Sequence, residues 1–178
     1  NFASTMMVGQ LGETSVAAYS LANQIIFLLQ LFMFGIGSGA AIFVAQFWGK
    51  HDIANIRRVM GISLVIGLAG AGIFSIIALV FPEQALGVYS SDTAVIALGR
   101  DYMRIVGLGY LAIPITNSFM VTLRCTGNVR MPVLISVVAW SSGAVLNYAL
   151  IFGQFGMPVL GIHGSAIATT LARGLECV

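Results

Sequence analysis

"TSVAAYSLANQIIFLLQLFMFGIGSGAAIFVAQFWG", residues 14–49, contains no Asp, Glu, Lys or Arg. A bilayer's hydrocarbon core is about 30 Å thick and takes roughly 20 apolar helical residues to cross. A soluble helix of this length needs a polar outer face, and this run supplies none. The same holds for the uncharged runs 59–82, 105–123 and 131–172. Charged residues make up 8% of the 178, against roughly 25% in an ordinary soluble domain, and the mean hydropathy is +0.98. Strands of a membrane barrel would alternate apolar and polar over about ten residues, and these runs do not. The fold class is therefore all-α, a polytopic transmembrane helix bundle.

Breaker residues divide the chain. A helical tail ends near Leu11, and helices are predicted over about 16–48, 59–81, 94–123 and 132–153, with a last one opening near 161. Pro82 stops the second of these, Pro132 suits the first turn of the fourth, and Pro114 kinks the third. "GQFGMP", residues 153–158, makes a turn. The 16–48 helix, about 50 Å at 1.5 Å per residue, is too long to cross upright and must tilt, bend or project. The start has no basic region or cleavage site of a secretory signal. It reads as the inside of a helix, and the chain as an excerpt of a longer protein.

The scarce charge is concentrated. "FWGKHDIANIRRVMG", residues 47–61, gathers Lys50, Asp52, Arg57 and Arg58, and "RCTGNVR", residues 124–130, carries Arg124 and Arg130. The intervening links hold Glu13, Glu83 and Asp92 and no base. Basic links alternating with non-basic ones are an orientation signal that places 50–58 and 124–130 in the cytoplasm. No aromatic interleaving or second basic surface accompanies them, so the charge carries no nucleic-acid signature.

"GIGSGA", residues 35–40, fits half of a dinucleotide fingerprint, but no strand precedes it and no acid follows at the required distance. Close helix contact is the alternative: Gly35 with Gly39, and Gly37 with Ala41, have the small-residue spacing that lets helices approach. His51 and His163 form neither a metal cluster nor a catalytic pair. Cys125 and Cys177 form no redox or metal motif and read as packing residues. With no nucleophile–base constellation in the spans, no enzyme is expected. What remains is intramembrane polarity, chiefly Asn117 and Asn147. These amides are either glue between helices, at about 0.6–2 kcal/mol each, or the lining of a polar cavity. Asn147 lies five residues before Phe152, about 8 Å below that helix end. Ser4 and Ser165 fall at a similar outer level, while Asn117 is deeper unless the Pro114 kink raises it.

"MMVGQLGETSVAAYSLANQIIFLL" (6–29), "FGIGSGAAIFVAQFWGKHD" (34–52), "LRCTGNVRMP" (123–132), "LNYALIFGQFG" (146–156) and "GIHGSAIAT" (161–169) closely resemble the amino-terminal lobe of the multidrug and toxic compound extrusion transporters, especially their NorM-like bacterial members. The resemblance covers residues 1–178, from the end of the first family helix into the sixth. It implies part of a twelve-helix protein of two six-helix lobes around a central cavity, in a bacterial inner membrane. Such a protein exports bulky, often cationic aromatic compounds in exchange for Na+ or H+, and needs no other cofactor. The family's first-helix acid corresponds to Ser4, an acid of its fifth helix to Asn147, a hydroxyl of its sixth to Ser165, and a polar fourth-helix position to Asn117, with Thr116 and Met120 beside it. Ser4 and Asn147 are neutral and do not titrate near pH 7. The coupling acid is therefore expected in the other lobe, with neutral polar lining in this one. Gly35, Gly37, Gly39 and Pro114 are the expected moving parts of alternating access. Two alternatives stay open: a related flippase of lipid-linked precursors, which would need a cationic cavity for phosphates, and a membrane scaffold that moves nothing.

Overall fold

The computed structural model of the chain describes residues 5, 8–10, 12–90, 92–152 and 161–177. Ser4, most of the expected tail helix and the 153–158 turn lie outside the described residues. The elements are α1 (Glu13–Gly49), α2 (Ile53–Val80), α3 (Pro82–Gly87), α4 (Thr93–Gly109), α5 (Ala112–Cys125), α6 (Arg130–Phe152) and α7 (Gly161–Cys177), with no strand among the described residues. Helices α1 and α2, and α6 over Arg130–Ile151, are long and apolar enough to cross a membrane. Together α4 and α5 form a fourth such segment, bent by 47°.

That bend is the expected kink, and its position follows from proline chemistry. Pro114 has no N–H to give the Tyr110 carbonyl, and its ring would strike that carbonyl in a straight helix. The Tyr110 carbonyl instead accepts from the Ile113 N–H at 3.2 Å, and the helix breaks at Tyr110–Leu111.

The α1–α2 corner is tighter than the sequence suggested, because α2 begins at Ile53 rather than near Val59. Asp52 caps α2, its carboxylate accepting from the Asn55 N–H at 3.1 Å and from the Asn55 amide at 2.6 Å. These bonds, the side-chain one foremost, hold the Asp52 carboxyl below its usual range. Since the folded value is lowered, the cap persists above the ordinary carboxylate range and is lost only as pH falls through the lowered value. Upstream, the Asp52 N–H donates to the Phe47 carbonyl at 2.9 Å, closing a turn that puts His51 at φ 56°. That left-handed geometry suits glycine and costs another residue about 1–2 kcal/mol. His51→Gly is accordingly expected to raise the thermal midpoint by a few degrees. An unchanged or lower midpoint would show that the turn is unstrained.

Pro82 ends α2 and serves as a first-turn residue of α3, a short helix that periodicity did not reveal. Glu83 on α3 pairs with Arg100 of α4 at 3.0 Å. At the opposite end, the Cys125 thiol donates to the Ala41 carbonyl at 3.7 Å, joining the end of α5 to the later part of α1. Residues 50–58 and 124–130 thus share one end of the bundle.

The core centres on α1, α2, α4 and α5, which pack on one another, and Leu86, Ile151, Ile162 and Ala166 join it from α3, α6 and α7. Ala18, Ala22, Leu29, Met33 and Val44 bury one side of α1, while Phe27, Leu31, Phe34 and Ile42 stand outward, Phe34 with 73% of its surface exposed. Water would drive such a face to aggregate, whereas hydrocarbon solvates it as well as a protein core does. Helix α7 packs on α4 and α6, and α6 in turn rests almost wholly on α7, with little contact to α5. The α2–α4 contact carries a buried hydrogen bond, Ser75 hydroxyl to Gly107 carbonyl at 2.9 Å.

Candidate functional site

The loose α5–α6 seam opens onto a cavity of about 550 Å³. Tyr19, Asn23 and Gln30 enter it from α1, one face at spacings of four and seven residues. Tyr102, Val106 and Tyr110 come from α4 or its end, and Ser136, Trp140, Gly143 and Asn147 from α6. Thr169, Thr170, Arg173 and Glu176 line it from α7, and Arg124 stands at the end of α5. The Tyr19 and Tyr102 rings meet edge to face, centroids 5.5 Å apart at 74°. Arg173 Nη1 lies 3.3 Å from Glu176 Oε2.

Close approach sets the α6–α7 register. A Cβ on Gly143 would stand 3.1 Å from Ala172 Cβ, and one on Gly164 would collide with the Leu150 carbonyl. Asn147 is therefore level with Ala168, and Ser165 sits about 4 Å nearer the Gly161 end of α7 at 1.5 Å per residue. Both are buried. The Asn147 amide donates to the Gly143 carbonyl at 3.0 Å, while Asn147 Oδ1, Ser165 Oγ and the Tyr110 hydroxyl have no partner among the described residues. An unpaired buried polar group costs about 1–3 kcal/mol. Asn147 and Tyr110 face the cavity, and Ser165 does not line it.

The other expected cavity residues lie elsewhere. The Asn117 amide donates to the Met33 carbonyl at 3.3 Å, tying α5 to α1, and Asn117 lines a separate groove of about 610 Å³ beside Phe27 and Phe34. Gln30 and Arg124 border both spaces. Thr116 donates to the Ala112 carbonyl at 3.3 Å and Met120 is buried; neither lines either space. Among the glycines, the close-contact expectation holds at Gly37, where an added Cβ would stand 3.2 Å from Val121. It fails at Gly35 and Gly39, which have nothing within 4 Å among the described residues. Two residues along a helix is a rotation of about 200°, so both point away from α5. The expected neutral lining is also corrected: residues 169, 173 and 176 follow the helical period onto the cavity face of α7 and bring a guanidinium and a carboxylate with them. Asn23 and Gln30, on the same helix face, are a further contribution that sequence reading passed over.

The sequence profile of the MatE family matches residues 1–149.

The chain belongs to the MatE family.

Its relatives include the probable multidrug resistance protein YoeA of Bacillus subtilis, 32% identical over 94% of this chain and 36% of that protein. The probable multidrug resistance protein NorM of Rhizobium meliloti is likewise 32% identical over 94% of this chain and 36% of its own length. Among solved structures, a MATE transporter in the bent conformation superimposes with a TM-score of 0.87 at 23% identity, over 98% of this chain and 38% of that one. A MOP superfamily transporter from Pyrococcus furiosus, described as having a binding pocket of reverse polarity, gives 0.85 at 22%, over 99% and 38%. This MatE chain thus spans little more than a third of its relatives' length. It has the helical fold of part of a MATE transporter, a multi-pass integral membrane protein.

Proposed function

We propose that residues 1–178 are the amino-terminal lobe of a multidrug efflux antiporter, which exports organic, cationic aromatic compounds in exchange for Na+ or H+ by alternating access. The observation that carries this reading is the cavity. Its volume of about 550 Å³ falls within the roughly 300–1,000 Å³ of small-molecule sites. The exposed Trp140 ring on its border offers a face to a flat cation, with the buried Tyr19–Tyr102 pair behind the wall. The multidrug resistance proteins among its relatives support a role in drug efflux.

Ser4, Asn147 and Ser165 are the proposed ion-facing positions of this lobe. Two of them present buried, unpaired oxygens, which suit a cation and cannot carry a proton. The titrating acid is assigned to the carboxy-terminal lobe. For coupling, the ion must favour one orientation of the transporter over the other, since equal binding to both shifts nothing. Residues 50–58 and 124–130 face the cytoplasm in this arrangement.

Proteoliposomes of the full-length parent test it. Ethidium efflux is expected under an inward Na+ or proton gradient and is expected to stop when the gradient is collapsed; a protein that moves no dye under either gradient is a scaffold. Ser4→Ala with Asn147→Ala is expected to weaken ion dependence while leaving part of it. If that pair abolished it as fully as removing every acid of the other lobe, the acid would be misplaced. Arg124 and Arg173 at the cavity favour one second reading, a flippase of lipid-linked phosphates. Translocation of a fluorescent polyprenyl phosphate in the same vesicles, without dye efflux, would establish it.

A further inference from the structure

Arg173 is twelve residues into α7, about 18 Å from its outer end at 1.5 Å per residue. That depth is inside a hydrocarbon layer of about 30 Å, where charged side chains are costly and mark binding or transport paths. Its partner Glu176 is the only carboxylate bordering the cavity among the described residues.

The pair is poorly made for a structural role. Both residues belong to α7, one turn apart, so their bond fastens no second helix. One nitrogen meets one oxygen at 3.3 Å, longer than the roughly 2.7–2.9 Å of a well-formed charged hydrogen bond. Neither side chain has another hydrogen bond among the described residues. Tyr110 and Asn147 line the same cavity, their hydroxyl and Oδ1 shielded within the wall and without a partner among the described residues. One carboxylate and the exposed Trp140 ring on the same border suit a cation; the carboxylate is occupied only by a loosely held guanidinium.

We propose that Glu176 is the cation anchor of the cavity and Arg173 its tethered competitor: an organic cation binds by exchanging with the Arg173 guanidinium on the Glu176 carboxylate. The displaced guanidinium turns into the cavity, which Thr169, Thr170 and Asn147 also line. When the cation leaves, Arg173 covers the carboxylate again, so the empty cavity never holds an uncompensated buried charge. Release is therefore built into recognition.

The inference rests on the proposed cation transport, and binding of tetraphenylphosphonium to the purified full-length parent separates the two. Glu176→Gln is expected to weaken binding about tenfold and Arg173→Gln to strengthen it about tenfold, with the double variant between them. Affinity for an uncharged aromatic of similar size is expected to stay constant throughout. A misfolded variant cannot imitate the gain in Arg173→Gln. If the cation binds and both variants weaken it, or neither changes it, the pair is only structural and this inference is overturned while the transport reading stands. If neither the wild type nor either variant binds the cation, both are overturned.

Discussion

Gly164→Val is expected to remove most of the folded protein from the membrane. Any side chain at Gly164 meets the Leu150 carbonyl, whose carbon would lie 2.7 Å from the added Cβ. That carbonyl is backbone in the middle of a helix turn and has no rotamer to escape into. Overpacking against movable side chains costs about 1–3 kcal/mol, and a rigid neighbour puts this case at the top of that range or beyond. The damage then spreads, because α6 depends on α7 for nearly all its support. In full-length parent extracted in detergent, the folded peak on size exclusion is expected to fall several-fold, the response of abundance to a destabilisation of this size. Gly35→Val is the control: with open space around it, its effect is expected to be within about 0.5 kcal/mol. Equal behaviour of the two variants would refute the α6–α7 register.

Pro114→Ala is expected to act in the opposite sense on stability and strongly on transport. Alanine restores the N–H that the Tyr110 carbonyl lacks, and proline inside a helix costs about 3 kcal/mol relative to alanine. The 47° bend would then relax toward a straight helix, drawing residue 114 away from Gly67, where a Cβ would come within 2.8 Å of the Pro114 ring. Thermal stability is expected to hold or rise. Dye efflux by the full-length parent is expected to drop at least about tenfold, a barrier change of about 1.4 kcal/mol. Cysteine labelling from the two membrane faces is expected to show one orientation dominating. Because stability and transport move apart, misfolding cannot explain the loss. Unchanged efflux with unchanged labelling would leave Pro114 without a part in the motion.

Much of the fold could be read from the chain because lipid and loops demand different residues. The uncharged runs fixed the long helices to within a few residues, and Pro114 foretold the break four residues upstream at Tyr110. Two errors have one origin: capping and turn bonds are local geometry that hydropathy does not see. Asp52 started α2 early, and Pro82 opened α3 instead of merely ending α2. At the cavity, depth was easier to read than direction. Asn147 and Ser165 do lie near one level, yet only Asn147 faces the cavity, and Asn117 looks into a different groove. Which way a side chain points depends on rotation about the helix axis, and a polar residue in isolation gives no such angle. Groups on one face do give it. Tyr19, Asn23 and Gln30 on α1, and Thr169, Arg173 and Glu176 on α7, each repeat at helical spacing, and that repetition was the available signal.

If the chain belongs to an efflux transporter as proposed, the unequal attachment of α6, firm along α7 and slight along α5, bears on how broad a range of guests can be received. A panel fastened on one side only can swing out for a bulky compound and fall back for a slim one. The cost of each excursion would fall on the few side chains between α5 and α6 and on Ile151, the α6 residue seated in the core. Breadth of substrate choice would then come from one pliant hinge line rather than from a soft interior.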